Sequence, residues 1–427
     1  MKIPILLLLA GVLYAQFTPA PSGCAMAHCD SKMTDLGGEH VPRGPGVVLL
    51  ARDSAPDGSG KGLGCSSNGA VVACSYKNLD DVDAVVVYNA SGSRLWASGT
   101  HLSGSSHFSA PLVSASGDVV AADDRTLARF TPSGGVAWSV STAGGTPISP
   151  VIGPFDTILL ATAGGPLSVH RSSDGQLLGS LTVTTKDGLP YETGNTPCVI
   201  GNRMYVSMHQ RAAPHFGALV AVDVRADSAP MLKVAWTHGF GGPSGASPLC
   251  HGDSVHFDAA GLTPGTFAPH VIGLRDLGTG PELLYAKPTT TNTLASFALD
   301  PRGDGYWVMP NKYRFIEKRS FLGEVVDSLD VPVLVGDAAY PNIGMSAITM
   351  FGSSINPAMV VGTTDLNRVS AHVLAIDLVT RSRLWKFKLS DVAPDRVFSQ
   401  FSVVLSEDKP RVVFPGTATG AYFLGVR

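Results

Sequence analysis

Charge is scarce in this chain. Only 15% of its 427 residues are charged, and the formal net charge is −3. No Lys/Arg-rich cluster stands out, so the sequence lacks the electrostatic footprint of a nucleic-acid binder. Aromatic residues make up 7% of the chain, with five Trp among them. Apolar runs are short, and none is long enough to cross a bilayer as a helix. Apolar residues spaced three and four apart are also wanting, which argues against helical repeats. Gly and Pro are plentiful instead, at 48 and 30 residues. Together with abundant Ser and Thr, they describe a β-rich chain with many turns.

The first residues read MKIPILLLLAGVLYAQ. Lys2 is a short basic start, Ile3 to Tyr14 is apolar, and Ala15 offers a small residue for cleavage before Gln16. This reads as a secretory signal over 1–15. Lipidation at Cys24 in "PSGC" is the rival reading, but Pro21 and the distance from the apolar run argue against it. Six Cys in an exported chain point to disulfides. Cys65 and Cys74 flank "SSNGAVVA", whose Asn68-Gly69 is a hairpin signal, so they are expected to face each other across neighbouring strands. Cys24 and Cys29 would close a very small loop. Cys198 and Cys250 can pair only if the fold brings them together.

A repeat governs the remainder. "VVYNASGSRLW" ends at Trp96, "ARFTPSGGVAW" at Trp138, and "VHRSSDGQLLG" at Gly179. A longer copy ends at Trp236, and "VIGLRDLGTGPELLY" ends at Tyr285. "AHVLAIDLVTRSRLW" ends at Trp385. A second phrase precedes these: a Pro, apolar residues, a turn and another β-rich run, as in "SAPLVSASGDVVAAD" and "ASPLCHGDSVHFDAA". Eight such first halves begin near residues 63, 109, 148, 195, 246, 294, 345 and 401. Units of about 40–50 residues with four short strands mark propeller blades. The expected fold is all-β: a β-propeller of eight four-stranded blades, with seven as the alternative count. The last unit lacks its final strand, and "PGVVLLAR" near Val47 is an orphan, so the N-terminal strand is expected to complete the last blade. The organisation is then a signal peptide over 1–15, an N-terminal extension over 16–45 and a propeller over 46–427. Trp96, Trp138, Trp236, Tyr285 and Trp385 are expected to pack between neighbouring blades.

Ala375, Asp377, Thr380 and Trp385 stand at the spacing of the tryptophan-docking motif of quinoprotein propellers, and the chain resembles that family over most of residues 60–427. Arg381 stands where the family usually has Gly, whereas Gly92, Gly134 and Gly175 keep it. The resemblance implies either a pyrroloquinoline quinone dehydrogenase with Ca²⁺ or a lanthanide on the axis, or a non-catalytic propeller like the outer-membrane assembly lipoprotein. The chain lacks the adjacent Cys pair of many dehydrogenases and has no clear match to their metal-binding or catalytic segments. Fold alone does not decide the chemistry.

Several residues invite chemistry of their own. Cys24, Met26, His28 and Cys29 combine thiolate, thioether and imidazole, ligands suited to Cu(I) or Zn, with a small disulfide loop as the competing reading. Asp80, Asp81 and Asp83, and Asp123 with Asp124, could gather Ca²⁺ oxygens, but no EF-hand spacing accompanies them and they read as solvated turns. His209, His215, His238, His251 and His256 gather in the middle blades without a triad or metal spacing. Arg302-Gly303-Asp304 and the sequon Asn89-Ala90-Ser91 both fall in turns. The expected function is non-catalytic: an exported, periplasmic or extracellular propeller that binds or scaffolds a protein or extracellular ligand, with no cofactor. The alternative is a pyrroloquinoline quinone oxidoreductase acting on an alcohol or sugar. Long insertions at 210–218 and 258–269 depart from the minimal repeat and are the loops to watch.

Overall fold

A computed structural model describes residues 17–427 apart from 22, 39, 54–60, 78–82, 106–108, 143, 227–230, 294–296, 312–313, 337–342, 366–370, 393–394, 398 and 418–419. The signal segment 1–15 and the side chains of Asp80, Asp81 and Asp83 lie outside the described residues.

Alternating apolar runs separated by Gly and Ser turns fold into eight antiparallel sheets. Blades 1 to 7 span 61–97, 112–141, 146–181, 191–240, 249–288, 298–330 and 343–388. Blade 8 takes three strands from 402–426 and its outermost strand, Val47–Asp53, from the other end of the chain. The register from Val47↔Val426 to Asp53↔Ala421 closes the ring. Pairing the two chain ends removes an open seam that would otherwise expose strand edges. First strands of neighbouring blades meet one another at blades 1 and 2, 4 and 5, 6 and 7, and 8 and 1, so they line the axis. One short α-helix, Val331–Val335, follows blade 6.

Each fourth strand of blades 1 to 7 carries a bulge beside its docking position. There the aromatic leans onto the third-to-fourth turn of the next blade. Trp96 lies on Gly134, Trp138 on Gly175 and Tyr285 on Gly323; a Cβ on those glycines would sit 2.8, 2.5 and 2.4 Å from the ring. All three glycines are left-handed, at φ 86°, 75° and 77°. The indole N–H groups of Trp96, Trp138 and Trp236 donate to Pro132 O, Ser172 O and Asp276 Oδ1 of the following blade. Burial of one such ring stabilises by about 2–3 kcal/mol.

At three seams another residue takes the docking position. In blade 3, Gly179 takes the docking position and Met231 of blade 4 fills the space, 3.0 Å from where a Cβ would be. At ring closure Ala51 takes it, beneath Gly92. Asp327 takes it in blade 6 and meets Arg381 Nη2 of blade 7 at 2.8 Å. Arg381 replaces the turn glycine at the one seam where an ion pair replaces the ring.

Candidate functional site

The first strand of each blade has one edge paired within the blade, while its other edge faces the axis. Those inner N–H groups need acceptors. The N-terminal extension supplies them. Cys24 O accepts from Ser67 N of blade 1, and Ala25 O from Val113 N of blade 2. Ser31 O accepts from Val199 N of blade 4, and Lys32 O from Cys250 N of blade 5. Thr34 O accepts from Leu299 N of blade 6, and Asp35 O from Met350 N of blade 7. All six distances lie between 2.7 and 2.9 Å. Blade 8 contributes a side chain, Gln400, whose Nε2 donates to Met26 O. The six carbonyls that accept from first-strand amides thus follow blade order around the axis, passing over blade 3, and residues 24–35 form a hub.

Tight coiling explains the hub's composition. His28, Cys29, Met33 and Asp35 are all left-handed, at φ 55°, 70°, 58° and 52°. Each costs on the order of 1 kcal/mol. Several bonds hold the coil against that strain. Cys24 and Cys29 form a disulfide. His28 Nδ1 lies 3.2 and 3.1 Å from the two Asp35 carboxylate oxygens, and Asp35 N donates to His28 O. Asp30 accepts from Lys32 N, Thr34 N and Thr34 Oγ1. Burial raises the Asp30 carboxyl, and the Thr34 and Lys32 donors partly offset it.

The proposed metal ligands therefore lie in this hub, and the disulfide occupies the two sulfurs that a metal would take as thiolates. Met26 packs into the core shared by blades 2 to 5. Lipidation of Cys24 would need its sulfur and would release the chain before it. Phe17, Thr18 and Ala20 of that stretch bond to Ser172 Oγ, Ala115 N and Val113 O.

Two more disulfides serve the inner wall. Cys65–Cys74 joins directly paired positions of the first two strands of blade 1, as the hairpin implies. Cys198–Cys250 joins the first strands of blades 4 and 5. Sequence spacing left this pair open, because only ring geometry brings residues 52 apart into contact.

The hub binds first strands near their turns into second strands, so it closes one end of the axis. Second-to-third loops lie at the opposite, open mouth. His209 and His215 are there, with rings 6.3 Å apart, and His209 Nε2 meets Glu192 Oε1 at 3.1 Å. His251 is half-buried and stacks on Phe321, with ring centroids 4.1 Å apart, whereas His256 belongs to the interior. His256 Nδ1 meets Tyr285 OH at 2.8 Å, Ser254 Oγ lies 3.0 Å from Nε2, and burial pushes this imidazole down to about 3. Arg302 is tied to Asp300, and Asp304 to Lys318. Asn89 Oδ1 accepts from Ser91 and Ser93 amides within its turn.

Three buried carboxylates stand toward the open mouth. Asp123 accepts from the amides of Gly104, Arg125 and Thr126. Asp395 accepts from Tyr422 OH, Thr417 Oγ1 and Arg396 N. Asp258 accepts from Thr293 N at 3.0 Å, and its Oδ1 lies 2.5 Å from Ser244 Oγ. Burial pushes Asp258 up to about 7. When protonated, its proton engages Ser244 Oγ, whose own hydrogen goes to Ala246 O at 2.9 Å.

A family profile described as outer membrane protein assembly factor BamB matches residues 40–274, just over half of the chain. The chain belongs to that family. Among solved structures it is similar to a europium-containing methanol dehydrogenase, at 11% identity, with 93% of this chain and 90% of that one covered and a TM-score of 0.62. It is also similar to BamB from Moraxella catarrhalis, at 10% identity, 89% and 97% coverage and a TM-score of 0.52. Quinohemoprotein alcohol dehydrogenase from Comamonas testosteroni matches at 10% identity, 95% and 81% coverage and a TM-score of 0.63. Such identities establish the shared fold. No curated protein matches the sequence.

An anionic quinone with Ca²⁺ needs cationic partners and oxygen ligands free for the ion. The three buried carboxylates toward the open mouth do not offer free ligands of that kind. Asp123, Asp258 and Asp395 are committed to the protein's own donors. Among the described residues no group of three or more His, Cys, Asp or Glu is placed to hold a metal ion. Nor is any described helix long and apolar enough to cross a membrane.

Proposed function

We propose that this protein is an exported, non-catalytic propeller that scaffolds a protein partner through the loops of its open mouth. The observation that carries this reading is the commitment of the axis to structure: six first strands bond the hub, and the buried carboxylates hold loops. Membership in a family described as an assembly factor supports a protein as the partner. All six cysteines in disulfides suit an oxidising compartment outside the cytoplasm.

The test has two arms. Purified protein is mixed with pyrroloquinoline quinone and Ca²⁺, then followed by absorbance and dye reduction. In parallel, photo-crosslinkers in the open-mouth loops are used in the native host. A flat spectrum with discrete crosslinked proteins is expected. Stoichiometric quinone with dye reduction would replace scaffolding by oxidation of an alcohol or sugar.

A further inference from the structure

The seam between blades 3 and 4 is filled from the opposite side to its aromatic counterparts. There a ring on the fourth strand of one blade leans onto the third-to-fourth turn of the next. Here the fourth strand of blade 3 offers only Gly179, paired with Val169. The filler is Met231, the last residue of the connection between Gly217–Val224 and Leu232–Phe240 of blade 4. A Cβ on Gly179 would stand 3.0 Å from Met231 Cβ and 3.5 Å from its Cγ. Arg225 N donates to Met231 O at 2.9 Å, which closes the base of that connection and fixes where the side chain starts. Leu178, Leu181 and Met231 all pack, partly buried, against the core shared by blades 2 to 5. An unbranched thioether suits such a gap because it adapts to irregular space.

Exposure singles this residue out. Met231 is half-buried, whereas every other described methionine side chain is 3% exposed or less. Met1 and the Met345 side chain lie outside the described residues. All six cysteines are held in disulfides, so no free thiol competes for an oxidant. The rings at the aromatic seams carry no sulfur. One seam of the propeller therefore rests on an accessible side chain that a mild oxidant converts from apolar to polar.

We propose that Met231 is a site of reversible oxidation, and that its sulfoxide loosens the seam between blades 3 and 4. The oxidant is hydrogen peroxide. The thioether lone pair attacks one peroxide oxygen, the O–O bond breaks and an S–O bond forms. Sulfur gives up two electrons, and the departing hydroxide takes the proton of the transferred hydroxyl and leaves as water. A dithiol reverses the step: its two thiols become a disulfide, and the oxygen departs as water. The sulfoxide is polar and chiral, so it no longer suits an apolar gap filled by a thioether. The fourth strand of blade 3, Leu177–Leu181, leads from this seam into the 183–190 loop, whose Pro190 O accepts from Arg211 N of blade 4. Loosening thereby reaches the open mouth.

The full-length mature protein is treated with hydrogen peroxide while folded, then followed by peptide mass spectrometry and hydrogen exchange. Oxygen uptake at Met231 is expected to be about tenfold faster than at any other methionine, Met345 included. Once Met231 is oxidised, exchange over 177–190 and 225–236 is expected to run about threefold faster. Methionine sulfoxide reductases supplied with a dithiol should restore the parent rates. Met231→Leu should keep the parent's exchange and ignore peroxide. Met231→Gln, which sets a polar group of similar length in the gap, should show the faster exchange with no oxidant present. Thermal melts verify that both variants fold. Faster uptake at another methionine would overturn the site. Unchanged exchange after oxidation, or an equal peroxide response in Met231→Leu, would overturn the loosening of the seam. None of these readouts depends on a partner or a cofactor, so their failure leaves the scaffolding reading where it stands.

Discussion

Gly175 shows how much one residue without a side chain can decide. It is left-handed, and a Cβ there would sit 2.5 Å from Trp138. Gly175→Ala meets both penalties, so unfolding in urea is expected to show a loss of about 2 kcal/mol. Arg381→Gly makes the converse case. Relief of a left-handed Arg recovers on the order of 1 kcal/mol, and the exposed pair with Asp327 is worth no more than about 1 kcal/mol. The change is expected to be neutral within about 0.5 kcal/mol in the same measurement. His256 and Asp258, two residues apart on one strand, oppose each other with pH. His256 is depressed to about 3 in the fold, so acid favours the unfolded chain from about pH 6.5 downward, by about 3 kcal/mol at pH 4. Asp258 is raised to about 7, so its contribution is full below about pH 4 and is lost as pH rises toward 7. Asp258→Asn keeps a donor toward Ser244 and removes only the second term. Its stability, followed by thermal melts from pH 4 to 8, is expected to climb more steeply with pH than that of the parent.

Elements differ in how far the sequence discloses them. The strand–turn–strand phrases, the orphan strand near Val47 and the Cys65–Cys74 hairpin were legible because each rests on local alternation and turn chemistry. The hub was not. Nothing periodic marks residues 24–35, whose partners are backbone amides from six different blades. Its one local signal was the cluster Cys24, Met26, His28 and Cys29, which reads as ligand chemistry and is found in a coil of left-handed residues. The Asp327–Arg381 seam escaped for a related reason: Arg381 was visible as a departure from the motif, but its partner lies in another repeat. The expected consequence of the hub is separable. Replacing both Cys24 and Cys29 by Ser should cost about 2 kcal/mol through loss of a short covalent loop. Deleting 17–36 should cost more, and hydrogen exchange should then speed up at Ser67, Val113, Val199, Cys250, Leu299 and Met350 together.

At the scale of the whole molecule, ring closure and hub make the two chain ends interdependent. Trp385 Nε1 of blade 7 donates to Pro42 O, and Arg43 pairs with Asp377, so the segment between hub and closing strand is pinned as well. In this arrangement the Cys24 sulfur is buried and held in a disulfide. Intact-mass measurement of the exported protein is expected to show unmodified Cys24 in a disulfide and an N-terminus upstream of Phe17. An added diacylglyceryl mass at Cys24 would contradict it.

Propellers are built from near-identical units and carry no intrinsic reason to stop at a given number. The hub supplies one. Its six amide-bound carbonyls follow the blades in sequence, from Cys24 on blade 1 to Asp35 on blade 7 with blade 3 passed over, so it works as a ruler laid around the axis. A ring that gained or lost a blade by duplication or deletion would leave this ruler out of step, with donors and acceptors facing the wrong marks. Twelve residues at the start of the chain thereby count the repeats that follow.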